Sequence, residues 1–170
     1  STQGLSSAPS DVCKRPLDYG RIFPQSGGRP LAKRAPQRQA YRLVELKRFA
    51  EHLGLALNPQ PRYFPVDATP SARLITAVAQ QDGMAAAVAL AGAVLAACWR
   101  EERDIASRAT LAELLEECDL PAERLAESRG ADTQARYDAR NQAAMDAGVF
   151  GAPTYVIDGE LFWGQDRLDF

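Results

Sequence analysis

The feature that most constrains the fold of this chain is a hairpin signal near its C-terminus. Residues 154–157 are β-branched or aromatic, Asp158-Gly159 is a pair favoured in type I′ turns, and residues 160–163 form a second short run. Pro153 precedes the first run, at a strand entrance where a missing N–H is tolerated. The segment therefore predicts two antiparallel strands in a chain whose other patterns are mostly helical.

The open end of this hairpin carries groups that suit a peptide-like ligand. Proline is the residue for which a cis bond costs least, so a cis Ala152-Pro153 bond would turn the amide and carbonyl of Ala152 out of the sheet, free for an extended ligand. Asp166 is a candidate N-cap of a terminal helix, where N–H groups suit a carboxylate and the Asp166 side chain suits an ammonium. The alternative is that Pro153 only shapes a turn and Asp166 only caps a helix.

Two C-terminal segments resemble the signature of the 2-hydroxychromene-2-carboxylate isomerases. They are Phe-Gly-Ala-Pro-Thr at 150–154 and Asp-Gly-Glu-Leu-Phe-Trp-Gly-Gln-Asp-Arg-Leu at 158–168. That family is similar to the kappa-class glutathione transferases and, more distantly, to the DsbA-type thioredoxin-like oxidoreductases. Weaker matches keep the same order upstream, at residues 15–17, 20–23, 26–30, 63–66 and 103–106.

The resemblance implies an α/β fold, namely a thioredoxin-like (DsbA-like) domain with a large inserted helical domain. The expected division assigns residues 1–35 and 131–170 to the thioredoxin-like domain and residues 36–130 to the helical insertion. The family begins with a strand and a helix that carry a Ser-Pro-Tyr type motif, whereas residues 1–11 have the composition of a loop. We therefore expect the domain to be incomplete at the N-terminus, and no residue is assigned the catalytic serine's role.

Apolar spacing predicts several helices between the two ends of the chain. The uncharged stretch Met84–Trp99 is too short to span a bilayer comfortably and is predicted to be a buried helix. The other predicted elements are a short strand at 12–15, a loop broken by Gly and Pro at 26–36, and helices over 43–53 with a stop at Gly54, over 70–81, after a capping box at Thr110–Glu113, near Pro121, and from Asp132 or Thr133 to Gly148.

The resemblance also implies a glutathione site at the hairpin. The backbone of Ala152, beside Pro153, would pair with the cysteinyl part of glutathione, and Gln165 with Asp166 would hold the γ-glutamyl head. Phe150 and Trp163 are expected to stack on an aromatic substrate, with core packing as the alternative.

Further substrate contacts are expected from other segments. Asn141 is a candidate donor to the ligand, and the alternative is an exposed helix-face amide. Arg29, Lys33 or Arg34 are candidates for binding the substrate carboxylate. The family usually has Gly-Asn where this chain has Gly27-Gly28, so one side chain of the family's site is absent.

The resemblance implies a glutathione-dependent isomerase that acts on an aromatic or conjugated carboxylate. In the related isomerases, glutathione acts as a catalytic thiol that adds to the substrate, allows rotation about a bond and leaves. The alternatives are a catalytically impaired relative that still binds glutathione and a thiol-disulfide oxidoreductase. Relatives of this kind are commonly dimers, so a homodimer is possible.

Composition excludes other classes of protein. The first 50 residues hold ten basic and three acidic residues, yet the formal net charge of the chain is −2, and no nucleic-acid motif is present. Cys13, Cys98 and Cys118 form no Cys-x-x-Cys pair, which argues against a disulfide framework, a zinc site and a dithiol centre. The only histidine, His52, is predicted to be a surface or packing residue. No apolar signal segment or membrane span is visible, and we expect a cytoplasmic protein without a membrane or nucleic-acid partner.

Overall fold

A computed structural model describes residues 15–167 and residue 169. No described helix is long and apolar enough to cross a membrane. The expected strand at 12–15 falls outside the described residues except for Arg15, which is not in a strand. The elements are α1 (Tyr19–Ser26), α2 (Pro36–Leu53), α3 (Thr69–Gln81), α4 (Met84–Trp99), α5 (Arg108–Glu117), α6 (Arg124–Glu127), α7 (Ala131–Asp146), β1 (Thr154–Ile157) and β2 (Glu160–Trp163), with a 3-10 turn at Leu31–Lys33.

The hydrophobic core lies among the helices in the middle of the chain. Helix α3 packs against α4, α5, α6 and α7, and α4 also packs against α5. The largest fully buried apolar side chains of this cluster come from three helices: Leu74 and Val78 in α3, Leu90 in α4, and Leu114 and Leu115 in α5. Contacts with α3 therefore attach α7 to the core, and the chain continues from α7 through residues 147–153 into the hairpin.

Helix α4 has the predicted bounds, but the prediction that it is buried is wrong for one of its faces. Ala87, Leu90 and Val94 are buried, whereas Leu95 is 59% exposed. The sequence is apolar on all sides because Ala and Gly occupy most of the outer positions. Packing against α3 and α5 covers only the side that faces them.

The bounds of the other predicted helices are confirmed or corrected by their caps. Helix α2 stops at its C-cap Gly54 as predicted, where a left-handed φ of 63° suits glycine, but it begins at Pro36, seven residues before the predicted start at 43. The capping box at Thr110 is wrong, because α5 begins at Arg108 after Ser107 and Thr110 lies inside the helix. Helix α7 begins at Ala131, slightly before the predicted start, and ends at Asp146 rather than Gly148.

Helix α1 was not expected, since its residues fall between the predicted strand and the predicted loop. The side chain of Asp18 accepts a hydrogen bond from the Gly20 N–H at 2.8 Å, which caps the helix start. Gly27, with a φ of 71°, ends it. Residues 27–30 and 34–35 form the irregular parts of the predicted loop, and the 3-10 turn lies between them.

The hairpin has the predicted strands and turn. Thr154 pairs with Trp163 and Ile157 with Glu160 in an antiparallel register. Asp158 and Gly159 have φ values of 50° and 85°, as a type I′ turn requires. Among the described residues the sheet has these two strands, and its open end faces the loop that follows α7.

Candidate functional site

The end of α7 directs the chain into a proline loop, which we define as residues 150–153. The Gly148 N–H donates to the Met145 carbonyl and the Val149 N–H to the Ala144 carbonyl, each at 2.9 Å. This pair of bonds is a Schellman motif, and Gly148 supplies its left-handed residue with a φ of 78°. Because the motif fixes the exit direction of the chain, the proline loop is attached to α7 without a flexible linker.

In the described part of the chain, the backbone of Ala152 in the proline loop has unused polar groups. The Ala152-Pro153 bond is cis, as predicted. The Pro153 carbonyl accepts from the Gly164 N–H at 3.0 Å, and this bond joins the loop to the turn that follows β2. Among the described residues, neither the N–H nor the carbonyl of Ala152 has a hydrogen-bond partner, and the residue is exposed. These groups are therefore available to an extended ligand backbone.

The strand register brings Gln165 and Asp166 to the same end of the hairpin. Thr154 pairs with Trp163, so continuing the register places Ala152 opposite Gln165. Gln165 and Asp166 are exposed and lie in a turn, and the helix expected after Asp166 falls mostly outside the described residues, so the N-cap stays a prediction. The exposed Asp166 carboxylate is open to a ligand ammonium.

The Asp166 carboxylate lies close to Gly164. A Cβ on Gly164 would be 2.8 Å from Asp166 Oδ1, and the glycine has a φ of 127°. A side chain at position 164 would therefore displace the carboxylate. The other carboxylate oxygen forms an ion pair with Arg167 at 2.7 Å, and both side chains are about half exposed. Such a surface pair contributes little stability, so the carboxylate can accept a ligand ammonium at small cost.

Phe150 and Trp163 form an aromatic pair beside the proline loop. Their ring centroids are 4.9 Å apart at an interplanar angle of 60°. Phe150 is 41% and Trp163 53% exposed, so core packing alone does not account for them. The Trp163 ring lies over Gly151, where an added Cβ would be 2.7 Å from the indole nitrogen. The two rings expose an aromatic surface next to the free backbone groups of Ala152.

Asn141 is fully buried, so the alternative of an exposed helix-face amide is wrong. Its Oδ1 accepts from the Asp18 N–H at 2.7 Å, and its Nδ2 donates to the Tyr137 carbonyl at 2.9 Å. The side chain thus ties α7 to the start of α1. A contact between Asn141 and a ligand stays a prediction.

The loop between α1 and α2 carries the predicted cations on its surface. Arg29 and Lys33 are exposed, and the Nε of Arg34 donates to the Arg29 carbonyl at 3.0 Å. Among the described residues, no hydrogen bond or ion pair joins these three side chains to the hairpin. The structure explains why position 28 is a glycine, because an added Cβ would be 2.5 Å from the Phe23 ring. The packing of Phe23 therefore excludes the larger residue that the family usually carries.

The described cysteines have the character of packing residues. Cys98 and Cys118 are free thiols, and Cys13 lies outside the described residues. Burial raises the pKa of the Cys98 thiol and of the Cys118 thiol, which lowers the reactive thiolate fraction. No cluster of three or more potential metal ligands occurs between residues 15 and 167. His52 is exposed on α2, as expected for a surface residue.

A family model for the DSBA-like thioredoxin domain matches residues 6–170. The chain belongs to this family. The match includes all the described helices, the proline loop and the hairpin, and it confirms the thioredoxin-like fold that the sequence predicts. The division of this DSBA-like domain at residues 35 and 130 stays a prediction.

Curated relatives of this DSBA-like chain share one name. The chain is 33% identical over 130 residues to a 2-hydroxychromene-2-carboxylate isomerase from Pseudomonas sp. (strain C18), covering 75% of this chain and 58% of the relative. It is 32% identical over 130 residues to the enzyme of that name from Pseudomonas putida, covering 75% and 61%. A third, from Sphingobium xenophagum, is 43% identical over 56 residues, or 32% and 29% of the two chains. The chain thus spans less than two thirds of the length of these relatives.

A solved structure of a 2-hydroxychromene-2-carboxylate isomerase also resembles this DSBA-like domain. The TM-score is 0.73 at 24% identity, over 91% of this chain and 74% of the other. At that identity the similarity shows the fold.

Two glycines that shape the site of this DSBA-like domain were not predicted from the sequence. Gly151 receives the Trp163 ring, and Gly164 makes room for the Asp166 carboxylate. Each glycine lies within two residues of a predicted ligand contact in sequence. That spacing was the available signal, but a glycine near a turn is common without any ligand.

Replacing Gly151 with alanine is expected to displace the Trp163 ring. The new Cβ would lie 2.7 Å from Nε1 and 3.3 Å from Cε2 of Trp163. The half-exposed indole should move to relieve this overlap, because it is freer to move than the backbone. We expect the indole N–H resonance of Trp163 to shift in the NMR spectrum while that of Trp99 stays in place. The free energy of unfolding should fall by less than about 1.5 kcal/mol, since an exposed ring can move.

Gly92→Ala is the matched control for this substitution. Gly92 lies inside α4, and an added Cβ would meet no atom within 4 Å. Alanine there should stabilise the helix by up to about 1 kcal/mol and leave the Trp163 resonance unchanged. An unmoved Trp163 resonance in Gly151→Ala would show that the ring does not lie over Gly151 in solution.

Proposed function

We propose that this chain is a glutathione-dependent isomerase of the 2-hydroxychromene-2-carboxylate isomerase type, acting on an aromatic or conjugated carboxylate. The observation that carries the proposal is the end of the hairpin, where the backbone of Ala152, unpaired among the described residues, lies opposite Gln165, which precedes the exposed Asp166. The names of the curated relatives support the reaction type.

The residues present fit the chemistry of glutathione. The cysteinyl part of glutathione has a backbone N–H and a carbonyl, which match the free carbonyl and N–H of Ala152. The γ-glutamyl head has an ammonium and a carboxylate. The Asp166 carboxylate would accept from the ammonium, and the Gln165 side-chain amide would donate to the carboxylate.

Glutathione, when bound, supplies a thiol that adds to a conjugated carbon of the substrate and leaves again, so that the intervening bond can rotate without net oxidation. The chain's residues orient both partners. Ala152 and Pro153 would fix the position of the cysteinyl part along the strand direction of the hairpin. Phe150 and Trp163 offer a ring surface beside it, on which an aromatic substrate would stack.

The substrate carboxylate is assigned to the exposed cations between α1 and α2. Arg29 and Lys33 are free of ion pairs among the described residues, so either can bind a carboxylate without breaking an existing bond. Arg34 is less available, because its Nε already donates to the Arg29 carbonyl. Asn141 supports this loop indirectly, through its bond to Asp18 at the start of α1.

The described thiols give no support to the alternative of a thiol-disulfide oxidoreductase. Burial raises the pKa of both described thiols, whereas exchange chemistry needs a lowered pKa. A catalytically impaired relative that binds glutathione shares every contact described above. It differs from the isomerase in turnover alone.

Calorimetric titration of the full chain with glutathione tests the proposed site. We expect saturable binding of glutathione and at least about tenfold weaker binding of the dipeptide Cys-Gly, which lacks the γ-glutamyl head, because each 1.4 kcal/mol of lost contact is a factor of ten. Cys-Gly thus serves as the matched ligand control. Absent glutathione binding, or equal affinities for the two ligands, would contradict the assignment of Gln165 and Asp166.

A further inference from the structure

A separate cleft lies between α2 and the extended segment that follows it. Its volume is about 280 Å³, at the small end of the range for ligand pockets. The walls are mostly apolar side chains: Leu31, Leu43, Pro59, Pro61, Phe64 and Pro65. The polar members are Gln39, Arg42 and Gln60. None of these residues belongs to the hairpin site.

Arg42 is a cation in this cleft that forms no ion pair with the described part of the chain. Its guanidinium carbon lies 5.3 Å from the centroid of the Phe64 ring and 5.6 Å from that of Trp99, and the two rings are 4.6 Å apart. A cation above an aromatic ring is held by the ring electrons rather than by an acceptor, so this contact uses none of the N–H groups along the guanidinium edge. Among the described residues, no carboxylate or carbonyl accepts from that edge.

The surroundings of Arg42 favour an anion. Burial and then the positive charge of Arg34 lower the pKa of Arg42. Both causes oppose the charged guanidinium, and the negative charge of a bound anion would offset them. The Gln39 amide already donates to the Arg34 carbonyl at 2.8 Å, whereas the Gln60 side chain is exposed and has no partner in the described part of the chain.

We propose that this cleft binds a small carboxylate with a flat apolar body, such as a single aromatic ring. The planar edge of Arg42 matches a carboxylate in a bidentate geometry, and the Gln60 amide is a further donor. The apolar body would lie against the prolines and Phe64. Those walls favour an aromatic carboxylate over inorganic phosphate, which has no apolar part to bury. The inference does not depend on the proposed function.

NMR titration of the full chain with benzoate tests this proposal. We expect the indole N–H resonance of Trp99 to shift saturably, and any shift of Trp163, in the hairpin site, should be the same in the parent and in Arg42→Gln. Arg42→Gln should weaken benzoate binding by about tenfold or more, since it removes a charge-assisted bidentate contact. Arg48→Gln removes a charge from an exposed position of the same helix and should bind benzoate as the parent does.

Two further probes and one further variant complete the experiment. Benzamide has the shape of benzoate without the charge and should not bind detectably, and inorganic phosphate should bind more weakly than benzoate. Arg42→Lys keeps the charge and loses the planar edge, so it should bind benzoate with intermediate affinity. If Arg42→Gln does not fold, the affinity of the Lys variant tests the proposal in its place. Parent-like binding by the folded Gln variant or by the Lys variant would overturn the proposal, as would equal binding of benzamide or tighter binding of phosphate.

Discussion

Replacing Asn141 with alanine is expected to lower the free energy of unfolding by roughly 2–3 kcal/mol. The side chain is 0% exposed and joins α7 to the Asp18 N–H at 2.7 Å. Alanine would leave that N–H without its acceptor and open a cavity in the packing of α7. This loss is large against the 5–15 kcal/mol that stabilises a typical domain. Urea unfolding measures it as a lower midpoint at an unchanged slope.

Two further substitutions isolate the cause of this loss. Gln142→Ala removes an exposed amide from the next position of α7, which bonds to Asp146 at 2.8 Å, and should change the stability by less than about 0.5 kcal/mol. Asn141→Leu fills the volume but still removes the acceptor, so it should recover only part of the loss. An Asn141→Ala protein as stable as the Gln142→Ala control would contradict the buried link between α7 and α1.

Asp166→Asn is expected to weaken glutathione binding by roughly ten- to a hundredfold, the effect of losing a charge-assisted contact to the ammonium. The carboxylate is exposed, and its only ion pair among the described residues is the one with Arg167 at 2.7 Å. A surface pair of this kind contributes less than about 1 kcal/mol, so the variant should fold normally. Calorimetry and urea unfolding together separate the loss of binding from any loss of stability.

Asp158→Asn is the matched control, because it makes the same change at the other end of the hairpin. Asp158 lies in the turn with a φ of 50°, which asparagine also accommodates. Its affinity for glutathione should equal that of the parent. If both variants lose affinity equally, the effect comes from net charge, and if Asp166→Asn loses none, Asp166 does not hold the γ-glutamyl head.

Local sequence signals predicted the elements that local chemistry determines. The hairpin has the expected strands because Asp158-Gly159 fixes both the turn type and the register. Helix α2 ends at Gly54 for a similar reason. Helix α1 carried comparable signals in Asp18 and Gly27, but Pro24 lies inside it and obscured the pattern. The two correct predictions and the unpredicted helix α1 all concern signals between residues that are close together in the chain.

Features that depend on distant parts of the chain were not predictable from the sequence. Asn141 and Asp18 are 123 positions apart, and no local pattern indicates their hydrogen bond. The contact of Trp163 with Gly151 depends on the hairpin folding back on the proline loop. The exposed face of α4 depends on which helices pack against it, which its uniform apolar composition does not encode.

The central claim is that this chain uses the thiol of bound glutathione to isomerise a conjugated carboxylate. The most direct measurement is the rate of conversion of 2-hydroxychromene-2-carboxylate by the full chain, with glutathione or with S-methylglutathione, whose sulfur is blocked. The account predicts a rate that rises to saturation with glutathione and no conversion with S-methylglutathione. Equal rates with the two compounds, or no conversion when glutathione is bound at saturation, would contradict it.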